Sequence, residues 1–163
     1  MRTILLATLA LIITSCSSTS VAEEEQLFNE EGSENLVVQL TNQEQQLFDL
    51  INDHRISIGL DALEFSAESY EFALDHNQYM IAQGELSHDN FNARASSIAK
   101  ITSANFVAEN VAKDYMSVED AMAGWLESNS HKTTIEGDFT HSTLSISYDA
   151  EGNPYYTQIF FRK

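Results

Sequence analysis

The sequence predicts an α+β fold in which helices come first and a β-hairpin comes last. Three observations carry this reading. Apolar residues recur at helical spacing in several capped segments between Thr41 and Leu126. The chain then changes period. Ser142 to Tyr148 alternates, with Leu144, Ile146 and Tyr148 on one face, and Tyr155 to Phe161 is aromatic and β-branched. Between these runs Asp149-Ala150-Glu151-Gly152-Asn153-Pro154 is a turn signal, so the two should close an antiparallel hairpin. Helices segregated from strands along the chain argue α+β rather than alternating α/β.

The first segment is a targeting sequence. Arg2 supplies a positive start and Ile4 to Ile13 is an apolar run followed by small residues. The run is too short for a membrane-spanning helix, which needs about 20 apolar residues. Ile13-Thr14-Ser15-Cys16 resembles the lipobox of bacterial lipoproteins, in which the cysteine is lipidated and begins the mature chain. That resemblance implies a leader over residues 1–15 and a lipid anchor at Cys16, placing the protein in the cell envelope, outside the cytoplasm, with the membrane as a partner. The other reading is an ordinary signal peptide with a chance cysteine. Cys16 is the only cysteine, so the fold has to hold without an internal disulfide.

Residues 16–40 read as an acidic, flexible tether. Ser17-Ser18-Thr19-Ser20 leads into Glu23-Glu24-Glu25, Glu30, Glu31 and Glu34, with no lysine or arginine between Cys16 and Arg55. Such a stretch repels itself and buries little. The folded domain is expected over residues 41–163. Thr41 with Glu44 three residues later forms a capping-box pattern, and Leu47, Phe48, Ile51 and Ile58 follow at helical spacing up to Gly59. A second helix is expected from Ser66 or Ala67 to Gln83, stopped by Gly84, and a shorter one from Phe91 to Ile101. Ser117 and Asp120 cap a fourth through Ala121, Met122 and Trp125.

The chain of 163 residues is 43% hydrophobic, enough for one domain with a core. Its formal charge of -17, from 8 basic and 25 acidic residues, repels phosphate backbones and excludes nucleic acid as a natural partner.

Three residues in recognisable local settings carry the chemistry: His88 in Gly84-Glu85-Leu86-Ser87-His88, Glu109 in Ala108-Glu109-Asn110, and His131 in Trp125-Leu126-Glu127-Ser128-Asn129-Ser130-His131. Together with Leu50-Ile51-Asn52-Asp53-His54-Arg55, Gly59-Leu60, Tyr79-Met80 and Tyr156-Thr157-Gln158, these segments in this order resemble the CAP superfamily (cysteine-rich secretory proteins, antigen 5 and pathogenesis-related proteins), in its bacterial single-domain branch. The resemblance covers about residues 43 to 161. It implies a three-layer α-β-α sandwich around a small antiparallel sheet, with a cleft of two histidines and two acids. By motif, His88, Glu109 and His131 match three of those four. The fourth acid is expected where Ser128 stands, and Glu127 is one residue short of it, about 100° away on a helix.

Two imidazoles and a carboxylate suit zinc or another divalent metal. Neighbouring members of the trio are about twenty residues apart, so any metal site at His88, Glu109 and His131 would be assembled only by tertiary structure. A second arrangement is hydrolytic: Ser128 and His131 are one helical turn apart and Glu109 would orient the imidazole. No Gly-x-Ser-x-Gly elbow and no His-Glu-x-x-His motif accompanies it. A third is a polar recognition cleft for a small apolar ligand or a protein partner. His54 and His76 read as helix residues at the core edge, Arg55 with Asn52 as a helix-end network, and His141 as a further imidazole if the hairpin lines the cleft. The expected function is a cell-envelope-anchored binding module. An envelope hydrolase acting on peptide or ester bonds is the alternative.

Overall fold

Thr41 starts the first helix by closing a reciprocal cap. Its side chain accepts from the Glu44 N–H, and its own N–H donates to the Glu44 carboxylate, launching α1 (Asn42–Ser57). The computed structural model describes residues 38–163; the leader, Cys16 and the tether up to residue 37 lie outside the described residues. After α1 come β1 (Glu64–Phe65), a short 3-10 turn (Ala67–Ser69), α2 (Tyr70–Gln83), α3 (Phe91–Thr102), β2 (Phe106–Lys113), α4 (Val118–Glu127), α5 (Asn129–Ile135), β3 (His141–Tyr148) and β4 (Pro154–Arg162). Gly84 ends α2 in the left-handed region at φ 73°, where a side chain is disfavoured. Ser117 caps α4 by accepting from the Asp120 N–H.

The expected hairpin is present as β3 and β4, paired antiparallel from His141 opposite Phe161 to Tyr148 opposite Pro154. Three elements escape the sequence reading: β1, β2 and α5. The sheet runs β1-β3-β4-β2, antiparallel except for the two-residue parallel pairing of β1 with β3. Alternation divides its side chains. Leu144, Tyr156 and Phe160 face a core shared with Leu47, Ile51, Trp125 and Ile135 from α1, α4 and α5. Ile159, Phe161 and Val111 face α2 and α3 through Ala73, Ile98 and Met80. The result is the α-β-α sandwich. Among the described residues no helix is long and apolar enough to cross a membrane.

Arg55 locks the first of these layers. It is 2% exposed, and its guanidinium donates to the backbone carbonyls of Asp61, Ile135, Gly137 and Phe139. Asn52, one turn earlier, exchanges two hydrogen bonds with the Leu63 backbone. The helix-end network expected from Asn52 and Arg55 thus ties α1 to the segments after α1 and after α5. Removing the guanidinium strands several buried carbonyls, each worth about 1–3 kcal/mol. Arg55→Ala should therefore lower unfolding stability by at least about 3 kcal/mol, read from the urea midpoint of the purified chain.

Candidate functional site

The site is built on β2, the edge strand. Glu109 and Asn110 are consecutive, so Glu109 projects to the α2–α3 side and Asn110 to the α4–α5 side. The Glu109 side chain is 1% exposed. A carboxylate removed from water to that extent has to be paired. Arg94 on α3 supplies the pair as a two-pronged fork, with Nε donating to Oε2 at 2.7 Å and Nη2 to Oε1 at 2.8 Å. Nδ1 of His88 donates to Oε1 at 2.9 Å. Burial alone would raise the Glu109 pKa; the hydrogen bonds from His88 and Arg94, with the Arg94 charge, outweigh it and hold the group below the usual carboxylate range.

A carboxylate only accepts, so the His88 proton sits on Nδ1 and Nε2 is left for the cleft. The imidazole is 52% exposed there. His76 stands behind it. Expected to be a partly exposed or core-edge residue, His76 is 2% exposed. Its Nε2 donates to the Ser87 carbonyl at 2.8 Å, pinning the backbone next to His88, and lies 3.7 Å from Glu109 Oε1. Burial pushes the His76 pKa down, and the neighbouring Glu109 charge opposes this only in part.

His131 enters from the other side of β2. The Asn110 amide donates to its carbonyl at 3.0 Å, fixing α5 against the strand. Burial lowers the His131 pKa first, and the charge of His88 adds to this. The expected trio therefore gathers at one edge of the sheet. Two other expectations are corrected. His141 lies on β3, separated from β2 by the whole of β4, stacked on Phe161 and 3.5 Å from Glu64. Glu109 orients His88, not His131, and the Ser128 hydroxyl pairs with Ser130 at 3.1 Å. Glu127 is exposed and does not replace the fourth acid.

Arg94 is the residue that sequence reasoning missed. A single arginine in a polar helix reads as a solvated charge, and only β2 brings Glu109 to it. Its presence bears on metal binding. Both Glu109 oxygens already accept from Arg94, and among the described residues no three His, Cys, Asp or Glu side chains stand together as a ligand set. The residues present do not fit a three-ligand metal centre. Over the site lies a shallow cavity of about 270 Å³ lined by His88, Phe91, Val107, Ala108 and Glu109.

The α-β-α sandwich is the fold that the sequence resemblance implies for a CAP domain. Residues 48–160 match the family model described as CAP: Cysteine-rich secretory protein family, and the chain belongs to that family. It is 31% identical over 129 residues to the uncharacterized membrane protein YlbC of Bacillus subtilis (strain 168), covering 76% of this chain and 35% of that one. The chain thus spans about a third of that relative's length. Among solved structures it resembles an outer surface protein from Borrelia burgdorferi, with a TM-score of 0.69 at 18% identity over 77% of this chain and 96% of that one. It also resembles a cysteine-rich secretory protein from Staphylococcus aureus, with a TM-score of 0.65 at 21% identity over 78% of this chain and 40% of that one. An extracellular protein containing an SCP domain from Bacillus anthracis has a TM-score of 0.60 at 26% identity, over 77% and 45%.

Two outcomes follow from the geometry. Arg94→Ala leaves a buried carboxylate without its main partner and should cost about 3–5 kcal/mol in denaturant unfolding. Stability should also fall as pH drops from 7 towards 5. The folded pKa values of His76 and His131 are depressed, so the unfolded chain takes up their protons first. The slope reaches at most about 1.4 kcal/mol per pH unit for each such proton. His76→Gln, which keeps a donor for Ser87, should flatten that slope in urea melts across the same range.

Proposed function

We propose that the protein is a recognition module of the cell envelope, held by lipid at Cys16, whose polar cleft at His88 and His131 binds a ligand without transforming it. The observation that carries this is the pairing of Glu109 with Arg94. The fork uses the carboxylate for holding structure and for aiming His88, which leaves it unsuited to act as a base or metal ligand. His88 then offers one imidazole nitrogen to the cleft beside Phe91, Val107 and Ala108, a small polar handle set in apolar surface. The envelope location is supported by the leader pattern and by relatives described as a membrane protein, an outer surface protein and an extracellular protein.

The hydrolytic alternative draws on the same pair, since an imidazole oriented by a carboxylate is half of a serine-type centre. Against it, among the described residues the Ser128 hydroxyl pairs with Ser130 and not with an imidazole. The two readings separate in one experiment. The purified chain is titrated with a panel of small amides, carboxylates and fatty acids while amide and imidazole resonances are followed. Shifts should gather on His88, Phe91, Val107 and His131 and disappear in His88→Ala, with no turnover of peptide or p-nitrophenyl ester probes. Turnover that His88→Ala or His131→Ala abolishes would reverse the reading. Zinc affinity should be the same in the wild type and the His88→Ala/His131→Ala double variant; a drop in the double variant restores the metal. Cys16→Ser should release the chain into the medium.

A further inference from the structure

The edge of β2 is open over Val107–Glu109, and this opening coincides with the cleft. The hydrogen-bond phase of β2 follows from its ends. The Asp114 N–H donates to the Pro154 carbonyl, so even-numbered residues of β2 pair with β4. The odd-numbered residues turn their N–H and C=O groups outward. Val111 confirms this, because its carbonyl accepts from the Trp125 indole at 3.3 Å. Among the described residues no group satisfies the outward N–H and C=O of Val107 or of Glu109. Such a row of alternating donors and acceptors is complementary to one thing, the backbone of another extended chain.

The surroundings fit that occupant. The cavity at His88 and Phe91 shares Ala108 with a second cavity of about 360 Å³, lined by Phe106, Thr133, Thr134, Gly137, Phe139 and neighbouring residues. Val107 packs towards α3 and Ala108 towards the opposite core, so a space touching both lies over the strand edge itself. Phe106 is 54% exposed and stacks on Phe139 at 5.7 Å, giving an aromatic wall on one side of the groove. An added strand would send alternate side chains into the two cavities. The formal charge of -17 opposes a second copy of this chain and favours an incoming segment with basic flanks.

We propose that the open edge of β2 at Val107–Glu109 takes an extended, basic-flanked peptide segment of a partner protein as a fifth strand, with its small β-branched side chains in the cavities beside Phe91 and Phe139. This rests on the recognition reading and names its ligand class.

The probe is the blocked peptide acetyl-Lys-Thr-Val-Thr-Val-Thr-Lys-amide, titrated into the purified chain. Saturable binding is expected, with the Val107 and Glu109 amides protected from hydrogen exchange at saturation. Val107→Pro removes one outward N–H and no ladder bond, which an edge strand tolerates. It should weaken binding at least tenfold. Since that variant also trims packing, the peptide is tested in parallel on the wild type with N-methyl groups on alternate residues. One phase of methylation should abolish binding and the other leave it unchanged. Replacing both lysines by glutamate should also weaken it. No saturable binding at millimolar peptide, unprotected Val107 and Glu109 amides, or equal affinity for both methylation phases overturns strand addition. A dimer of the chain that occupies the edge does so as well. The recognition reading is judged apart from this, by the His88→Ala comparison with the small-molecule panel.

Discussion

A single buried carboxylate on an edge strand organises this molecule's functional end. Glu109 is out of water, and the cost of leaving it uncompensated would be several kcal/mol. Arg94 removes most of that cost with a two-pronged bond, and His88 adds a third. These contacts join β2, α3 and the segment before α3. His76, reaching from α2 to the Ser87 carbonyl, adds a fourth element to the same knot. A well-packed apolar substitute would serve stability as well or better. What the ion pair supplies is direction: it fixes which nitrogen of His88 carries the proton and which one faces the cleft.

At each edge of the sheet a side chain completes part of a ladder that no strand completes. On the far side, β1 is only two residues long and stops before it can cover β3. Glu44 takes over there, its Oε1 accepting from the Ile146 N–H and the Tyr70 hydroxyl while Oε2 holds the cap of α1. On the near side, the Trp125 indole covers the carbonyl of Val111. The stretch from Val107 to Glu109 has no such cover, and it lies between His88 and the Phe106–Phe139 stack. An unprotected edge invites pairing, and this stretch is open beside the polar cleft.

Local signals were legible in the sequence, and tertiary ones were not. Thr41 with Glu44, Ser117 with Asp120, and Gly84 act within a turn of their own helices, so spacing alone reveals them. The hairpin is equally local, because both strands alternate and a turn joins them. β2 was hidden by its function. Phe106 to Lys113 buries Glu109 and Asn110, polar residues at the centre of a strand, and this breaks the pattern by which strands are recognised. Arg94 had no signal of its own, since its meaning lies in a partner on another element. His76 did have one: with Ala73, Asn77 and Met80 it falls on the buried stripe of α2, and that spacing marks a histidine that faces the core. The resemblance to a family placed His88, Glu109 and His131 together, where residue chemistry alone left metal, hydrolytic and recognition readings open.

The difference between a catalytic imidazole and a recognising one lies in what surrounds its exposed nitrogen. In a serine-type centre a hydroxyl sits within hydrogen-bond reach of Nε2, and oxyanion donors face the same space. Here His88 lines a cavity with Phe91, Val107 and Ala108, and the Ser128 hydroxyl pairs with Ser130. With Nδ1 donating to Glu109, Nε2 is the ring nitrogen left to meet an incoming group. The N–H groups that an extended chain directs at a strand edge are of that kind, and the unpaired carbonyls of Val107 and Glu109 would accept from them along the strand. Under the strand-addition proposal, the open backbone of β2 and the imidazole held beside it by Glu109 would meet the same partner, the peptide group.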